Sequence, residues 1–257
     1  MSVAVTEDAL LGGLVRLRQP AKGHRAGTDA VLLAGLAGVQ PGDRVADLGS
    51  ASGAVGLMVA MRVPTADVML LEKDPDLVGL ARENVALNGL QERVAVTPFD
   101  AFQPPVVVDT RHLATTKEGR GVGQHRFDVV VTNPPFFDAQ ARASPDPGRH
   151  RAHVMTGGDV SGWIEAAAGI LEPKGRIVLI HRADALDRCL GALAQRFGSI
   201  SLLAIHPQAD KPATRILLRA RKGGRAPLQI LAPLTLHRPD GQFDGAAAAL
   251  HARPPGL

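Results

Sequence analysis

Val45-Ala46-Asp47-Leu48-Gly49-Ser50-Ala51-Ser52-Gly53-Ala54-Val55-Gly56-Leu57 begins as a strand and ends as a helix. Val45 to Leu48 is a short apolar run interrupted by one acid, which suits a buried strand. Gly49 to Gly53 holds only small residues, so the chain bends tightly there and its backbone can approach a ligand. A helix is expected from Ala54 to about Arg62. The same alternation continues on both sides. Upstream, a strand is expected near residues 14–17. Thr28-Asp29 is expected to cap an apolar helix over 30–37, which Pro41-Gly42 ends. Downstream come a strand over 68–71 ending at Glu72, and Asp74-Pro75 as a helix cap with proline in the first turn. That helix stops at Asn88-Gly89. Strands at 93–97 and 127–132 follow, then helix 160–171, strand 176–181, helix 183–197 and strands at 201–205, 214–221 and 228–236. Strands alternating with helices favour an α/β fold with a parallel sheet covered by helices.

The chain has 257 residues, 45% of them apolar and 21% charged, which is globular composition. Its length fits one large domain, or one domain with an appendage. Three parts are expected: an N-terminal element over 1–40, a main domain over 41–237 and a loosely held Ala/Pro/Gly-rich tail over 238–257. One cysteine, Cys189, excludes internal disulfides and cysteine-cluster zinc sites. Mid-helix and among apolar neighbours, it reads as a buried structural thiol. The histidines show no H-x-x-x-H pair, so no metal site is expected. No apolar run reaches the roughly 18 residues of a membrane span, and residues 1–8 lack the features of a secretory signal. The expected compartment is the cytoplasm.

Segments 16–25, 109–126, 142–153 and 211–225 carry 17 of the 29 Lys and Arg but only 3 of the 25 Asp and Glu. Basic charge concentrated in this way suits a polyanionic partner such as RNA; the plainer alternative is a set of solvated arginines on loops and strand edges.

Asp47, Glu72 and Asp100 each follow or end a strand, where open α/β sheets bind ligands. Glu72, 25 residues after Asp47, can accept hydrogen bonds from a ribose diol, and Asp100 can sit beside a base. A dinucleotide fingerprint needs G-x-G-x-x-G facing a pyrophosphate. Here Ala51 takes the middle position, and Asp47 would repel a pyrophosphate. Asp47 suits a cation, such as the amino group of a methionine moiety. The pattern therefore favours S-adenosylmethionine over a nicotinamide dinucleotide, with Asp47, Gly49 and Gly53 around the methionine end.

Asn133-Pro134-Pro135-Phe136 follows the fourth strand of the main domain. Prolines end the ladder and stiffen the backbone. The Asn133 side-chain oxygen and the Pro134 carbonyl can then receive two N–H groups from one planar amine, while Phe136 stacks on its ring. An exocyclic amine is a poor nucleophile because its lone pair is delocalised. Two aligned acceptors favour a pyramidal nitrogen whose lone pair can attack a sulfonium methyl, a matter of positioning and electrostatics. The plain alternative is a Pro-Pro turn beside a buried Phe.

With these residues the chain resembles the small-domain class I methyltransferases, and within them the tRNA1(Val) adenine-37 N6-methyltransferase family. The matching stretches are Lys22 to Ala34, Asp47 to Gly53, Leu71-Glu72, Glu83-Asn84 with Asn88-Gly89, Asn133 to Phe137, His150 to His153 and His206 to Leu218, within roughly residues 10–237. The resemblance implies a doubly wound, Rossmann-like, mostly parallel seven-stranded sheet with helices on both faces. It implies an S-adenosylmethionine-dependent N-methyltransferase and a tRNA adenine N6 as acceptor. Gly27 and Thr28 would help close the cofactor pocket. Lys22, Arg25, Arg149, Arg151, Lys211, Arg215 and Arg219 are the candidate RNA contacts, with Arg215, Arg219 and Arg221 sharing one face of a regular strand. The Asn-Pro-Pro-aromatic motif also occurs in enzymes methylating guanine N2 of rRNA and protein glutamine, so these stay open. An NAD-dependent oxidoreductase and a non-catalytic RNA-binding protein are the readings from other classes. The chain departs from the family at Ala51, where glycine is usual, at Phe136, where tyrosine is common, and in the length of 103–126. Trp163, near a helix start, reads as core or interface, with base contact as the alternative.

Overall fold

The computed structural model describes residues 4–22, 25–103, 127–135 and 159–254. Phe136, Arg149, Arg151, the histidines at 150 and 153, and nearly all of 103–126 lie outside them.

A β-hairpin comes first, β1 (Val5–Leu10) paired antiparallel with β2 (Val15–Pro20). Then follow α1 (Thr28–Leu36), β3 (Arg44–Leu48), α2 (Ala54–Arg62), β4 (Asp67–Glu72), α3 (Pro75–Leu87), β5 (Val94–Pro98) and β6 (Phe127–Thr132). The second half holds α4 (Val160–Ile170), β7 (Leu171–Arg182), α5 (Leu186–Ala194), β8 (Phe197–His206), β9 (Arg215–Lys222), β10 (Gln229–Ile230), β11 (Leu234–Thr235) and α6 (Gly245–His251). The main sheet runs β10-β8-β9-β7-β6-β3-β4-β5, with β11 also on β8. Its seven long strands are the expected seven. All are parallel except β9, which is antiparallel to both β7 and β8.

The central strands are buried on both faces, so successive residues feed opposite cores. Val45, Val68, Leu70, Val129, Val131, Val178 and Ile180 face α1, α2, α3 and the hairpin. Ala46, Leu48, Met69, Leu71, Val130, Ile177 and Leu179 face α4 and α5. Asp47, between two apolar neighbours on β3, shares the first face and lies at its carboxyl edge.

Several local expectations need correcting. Thr28 and Asp29 lie inside α1, whose N-cap is Gly27 without a side-chain cap bond; Asp29 instead meets Arg215. β1 was not expected, because its polar sequence buries little; ion pairs of Glu7 with Arg16 and Arg18 hold it to β2. Stretch 228–236 is two short strands, because Pro233 cannot donate to a ladder. Both run parallel to β8 on its free edge. The chain reaches that edge by crossing at Gly224, where a Cβ on Gly198 would come within 2.2 Å of the Gly224 oxygen. In the stretch expected to hang loosely, Leu250 of α6 closes on Gly35 of α1, and Phe243 stacks between His237 and His251.

Candidate active site

The turn after β3 takes left-handed backbone at three places: φ is +74° at Gly49, +48° at Ala51 and +94° at Gly53. Gly49 N and Ser50 N both donate to the Leu71 carbonyl, at 2.8 and 3.1 Å, which bends the turn toward the end of β4. Gly49 admits no side chain. A Cβ there would lie 2.5 Å from Trp163 Cζ2.

An open cavity of about 380 Å³ lies over this turn. Its walls are residues 25–30 ahead of and within α1, Asp47, Gly49 to Ser52, the start of α2, and Asn133 and Arg215. Gly27, Thr28, Asp47, Gly49 and Asn133, residues given separate roles from sequence, thus share one cavity. It lies at the carboxyl edge of the sheet, where the register sets Leu48 of β3 beside Thr132 of β6. Asn133 therefore follows its strand directly opposite the start of the turn.

Asp47 is 2% exposed and accepts one hydrogen bond, from Gly56 N at 2.8 Å. Burial pushes its carboxyl up to about 7; the nearby Glu72 charge adds to the rise, and the Gly56 amide opposes it. Among the described residues no cation pairs with it. The Asn133 Oδ1 is buried and has no hydrogen-bond partner among the described residues, and neither has the Ser50 hydroxyl. Buried polar atoms are normally paired. These atoms and the bare glycine turn fit a ligand that brings a cation to Asp47 and N–H donors to Asn133.

Glu72 and Asp100 do not line this cavity. Glu72 braces the turn: one carboxylate oxygen accepts from Ala51 N at 2.8 Å, the other from Lys73 N and Asp74 N at 2.8 and 2.9 Å. Asp100 accepts from Phe102 N at 3.0 Å. Pro134 is buried and Pro135 exposed.

The basic residues divide. Lys22 and Lys211 are exposed. Arg25 lines the cavity but spends its guanidinium on Asp8, Thr6 Oγ1 and the Pro20 carbonyl. Arg215, at the site end of β9, bonds Asp29 at 2.8 Å and so straps the sheet to α1. Arg219 is not at the site. Its Nη2 donates to the Leu36 carbonyl at 2.6 Å, capping α1 at its far end. Arg221 pairs with Arg176 at the opposite rim, about 20 Å from Arg215 at strand rise. The shared strand face spans the sheet's width and does not form one phosphate-contacting edge.

Two residues emerge here that the sequence reading did not place in the site: Asn84 was given no role, and Trp163 read as core or interface with base contact as the alternative. Asn84, fully buried on α3, accepts from Arg18 N and donates to Arg18 O and Ser52 O. It ties the hairpin to the turn. Trp163 fills the space beneath Gly49 and donates its indole N–H to Thr132 Oγ1 at 2.6 Å. An amide pair four residues apart, Asn84 on α3 and Asn88 at its C-cap, was the available signal for the first. Nothing local signals the second.

A family model described as methyltransferase small domain matches residues 26–208. A Porphyromonas gingivalis protein named tRNA1(Val) (adenine(37)-N6)-methyltransferase is 33% identical over 79% of this chain and 76% of its own. One of the same name from Aeromonas hydrophila is 32% identical over 85% of each chain. The crystal structure of a predicted O-methyltransferase from Agrobacterium tumefaciens, Atu636, has a TM-score of 0.68 at 28% identity, covering 87% of this chain and 95% of its own. The family match takes in every strand from β3 to β8, and the chain belongs to the methyltransferase small domain family.

Proposed function

We propose that this enzyme transfers the methyl group of S-adenosylmethionine to adenine N6 in a tRNA loop. The observation that carries the acceptor side is the buried Asn133 Oδ1, unpartnered among the described residues, on the wall of the cavity that also holds Asp47. The names of the Porphyromonas and Aeromonas relatives support the same substrate.

S-adenosylmethionine supplies an electrophilic sulfonium methyl. Asp47 takes the ammonium of its methionine end, and Gly49 and Gly53 let the backbone close on it. Gly27 and Thr28 form the opposite wall. Glu72 would take the ribose with the lone pairs its three amides leave, and Asp100 the adenine side. Asn133 Oδ1 and the Pro134 carbonyl accept the two N–H bonds of the target amine and stabilise the positive charge that develops on it. Pro135 stiffens the corner, and Phe136 stacks on a base splayed out of its loop. The Agrobacterium relative is described as a predicted O-methyltransferase; a hydroxyl brings only one O–H to a pair of acceptors, so the pair favours an amine. Lys22, Arg25, Lys211 and Arg215, with Arg149 and Arg151, would hold the RNA backbone. Residues 1–40 cover the cofactor in this reading, residues 41–237 form the methyltransferase domain, and the enzyme works in the cytoplasm. Among the described residues no helix is long and apolar enough to cross a membrane.

The test is transfer of labelled methyl into total tRNA, rRNA and protein, followed by nucleoside and amino-acid analysis. N6-methyladenosine in tRNA, absent with Asn133→Ala, is the expected product. Label in rRNA guanine or in protein glutamine would overturn the substrate while keeping the donor pocket.

A further inference from the structure

Thr132 and Leu48 are the last residues of two adjacent parallel strands and are partners in register. The next residue on one strand is Asn133, and on the other Gly49. The backbone ladder thus ends where donor turn and acceptor corner begin. One side-chain chain continues across that gap. The Thr132 hydroxyl donates to the Leu48 carbonyl at 2.8 Å and accepts from the Trp163 indole N–H at 2.6 Å. Both bonds are buried, and Thr132 is fully so. The proton directions are consistent, since an indole only donates and a hydroxyl can do both.

Trp163 is itself held from the other side. Its ring occupies the place of a Gly49 side chain. Phe102 meets it at a 5.7 Å centroid distance and a 60° tilt, and Asp159 caps its helix by accepting from Gly162 N. The indole therefore touches the first residue of the donor turn and bonds the residue before Asn133.

We infer that Trp163 and Thr132 are positioning residues that fix the spacing between the methyl-donor turn and Asn133. Neither lines the cavity. The inference rests on the reading of Asn133 as the acceptor grip. Methyl transfer in line with a leaving group is sensitive to small displacements, and a misplacement of about 1 Å can cost on the order of a hundred-fold in rate. Removing the indole N–H leaves the Thr132 hydroxyl with only its bond to the Leu48 carbonyl, while the cavity keeps its own residues.

The experiment measures single-turnover methyl transfer at saturating cofactor and tRNA, with cofactor Kd and Tm, for Trp163→Phe, Thr132→Val, Thr132→Ser and the Trp163→Phe/Thr132→Val pair. Trp163→Phe deletes the donor together with the ring edge that lies against Gly49, whereas Thr132→Val deletes only the hydroxyl. The expected result is a rate loss of roughly ten-fold or more for Trp163→Phe and for Thr132→Val, with Kd within about three-fold, as the intact cavity implies. Thr132→Ser keeps the hydroxyl and is expected to turn over like the parent. The double variant is expected to be no slower than the slower single one, because both break one chain. Additive losses, an unrescued Thr132→Ser, or an unchanged rate in Trp163→Phe would overturn the inference. Asn133→Ala is run beside them. If that variant keeps its rate, the acceptor reading fails, and this is seen independently of Trp163.

Discussion

Asp47 carries a carboxyl that burial has pushed from an ordinary 3.8 up to about 7. Between those values the folded chain keeps a proton that the unfolded chain gives up, so stability without ligand should fall as pH rises from about 4 through 7. Asp47→Asn removes the titration while keeping an acceptor for Gly56 N. It should flatten that fall, seen in Tm measured against pH, and weaken the cofactor. An ammonium favours the ionised form, so parent affinity for the cofactor should rise up to about pH 7 and then level, while the variant stays weak and flat. A parent Kd independent of pH would argue against the ion pair. Ala51 takes left-handed backbone, φ +48°, although it carries a side chain. Left-handed backbone costs a non-glycine residue about 1–2 kcal/mol, less the entropy a glycine loses on folding. Ala51→Gly should therefore stabilise the protein by about 0.5–1 kcal/mol in denaturant titrations. At this scale the sequence was informative wherever the chemistry is local: Asp47, the glycines and Asn133 announce themselves by type and spacing. Trp163 does not, because its role depends on a glycine more than a hundred residues earlier that only the fold brings beneath it.

The hairpin shows how an element with little apolar surface stays in place. Asn84 of α3 and Asn88 at its C-cap each accept a backbone N–H from β2 and donate back to the same residue, Arg18 and Arg16 respectively. Two carboxamides thus imitate a neighbouring strand. Asn84 also donates to Ser52 O at 2.9 Å, so the same side chain steadies the donor turn. Asn84→Ala would leave Arg18 and Ser52 backbone groups unpaired and should cost about 2–4 kcal/mol. Hydrogen exchange at Arg16 and Arg18 should speed up more than at β3 or β4. Equal acceleration everywhere would mean that Asn84 supports the whole fold and not this junction. The first strand of the hairpin escaped a periodicity reading because Val5–Leu10 alternates weakly, and its partners are the ions of β2. The 228–236 stretch misled for the opposite reason: it is apolar enough for one strand, but its proline and the Gly198–Gly224 crossing permit only two short pairings.

Among the described residues the sheet order places Asp47, the glycine turn and Asn133 at one rim, and β9 carries Arg219 and Arg221 toward the other. The alternation of strand and helix made the parallel sheet legible. The antiparallel turn of β9 and the strap from Arg215 to Asp29 were not, since both depend on which strands become neighbours. Strand period put Arg215, Arg219 and Arg221 on one face, yet β9 distributes them along that face from one rim to the other. That separation is testable with RNA. Lys211→Ala should weaken tRNA binding at all sequences and reduce the salt slope by about 1. Arg219→Ala should leave the slope alone and lower Tm, because it uncaps α1 at Leu36. The reverse pattern would place the RNA on the other rim.

The central claim is that one cavity joins a donor turn to an acceptor corner, so the most direct measurement separates the two in a single variant. Asn133→Ala is assayed for cofactor Kd by calorimetry and for single-turnover methyl transfer into tRNA. Kd should stay within about three-fold, while the rate should fall on the order of a hundred-fold or more. A variant that keeps its rate, or one that loses the cofactor together with its rate, would contradict the account.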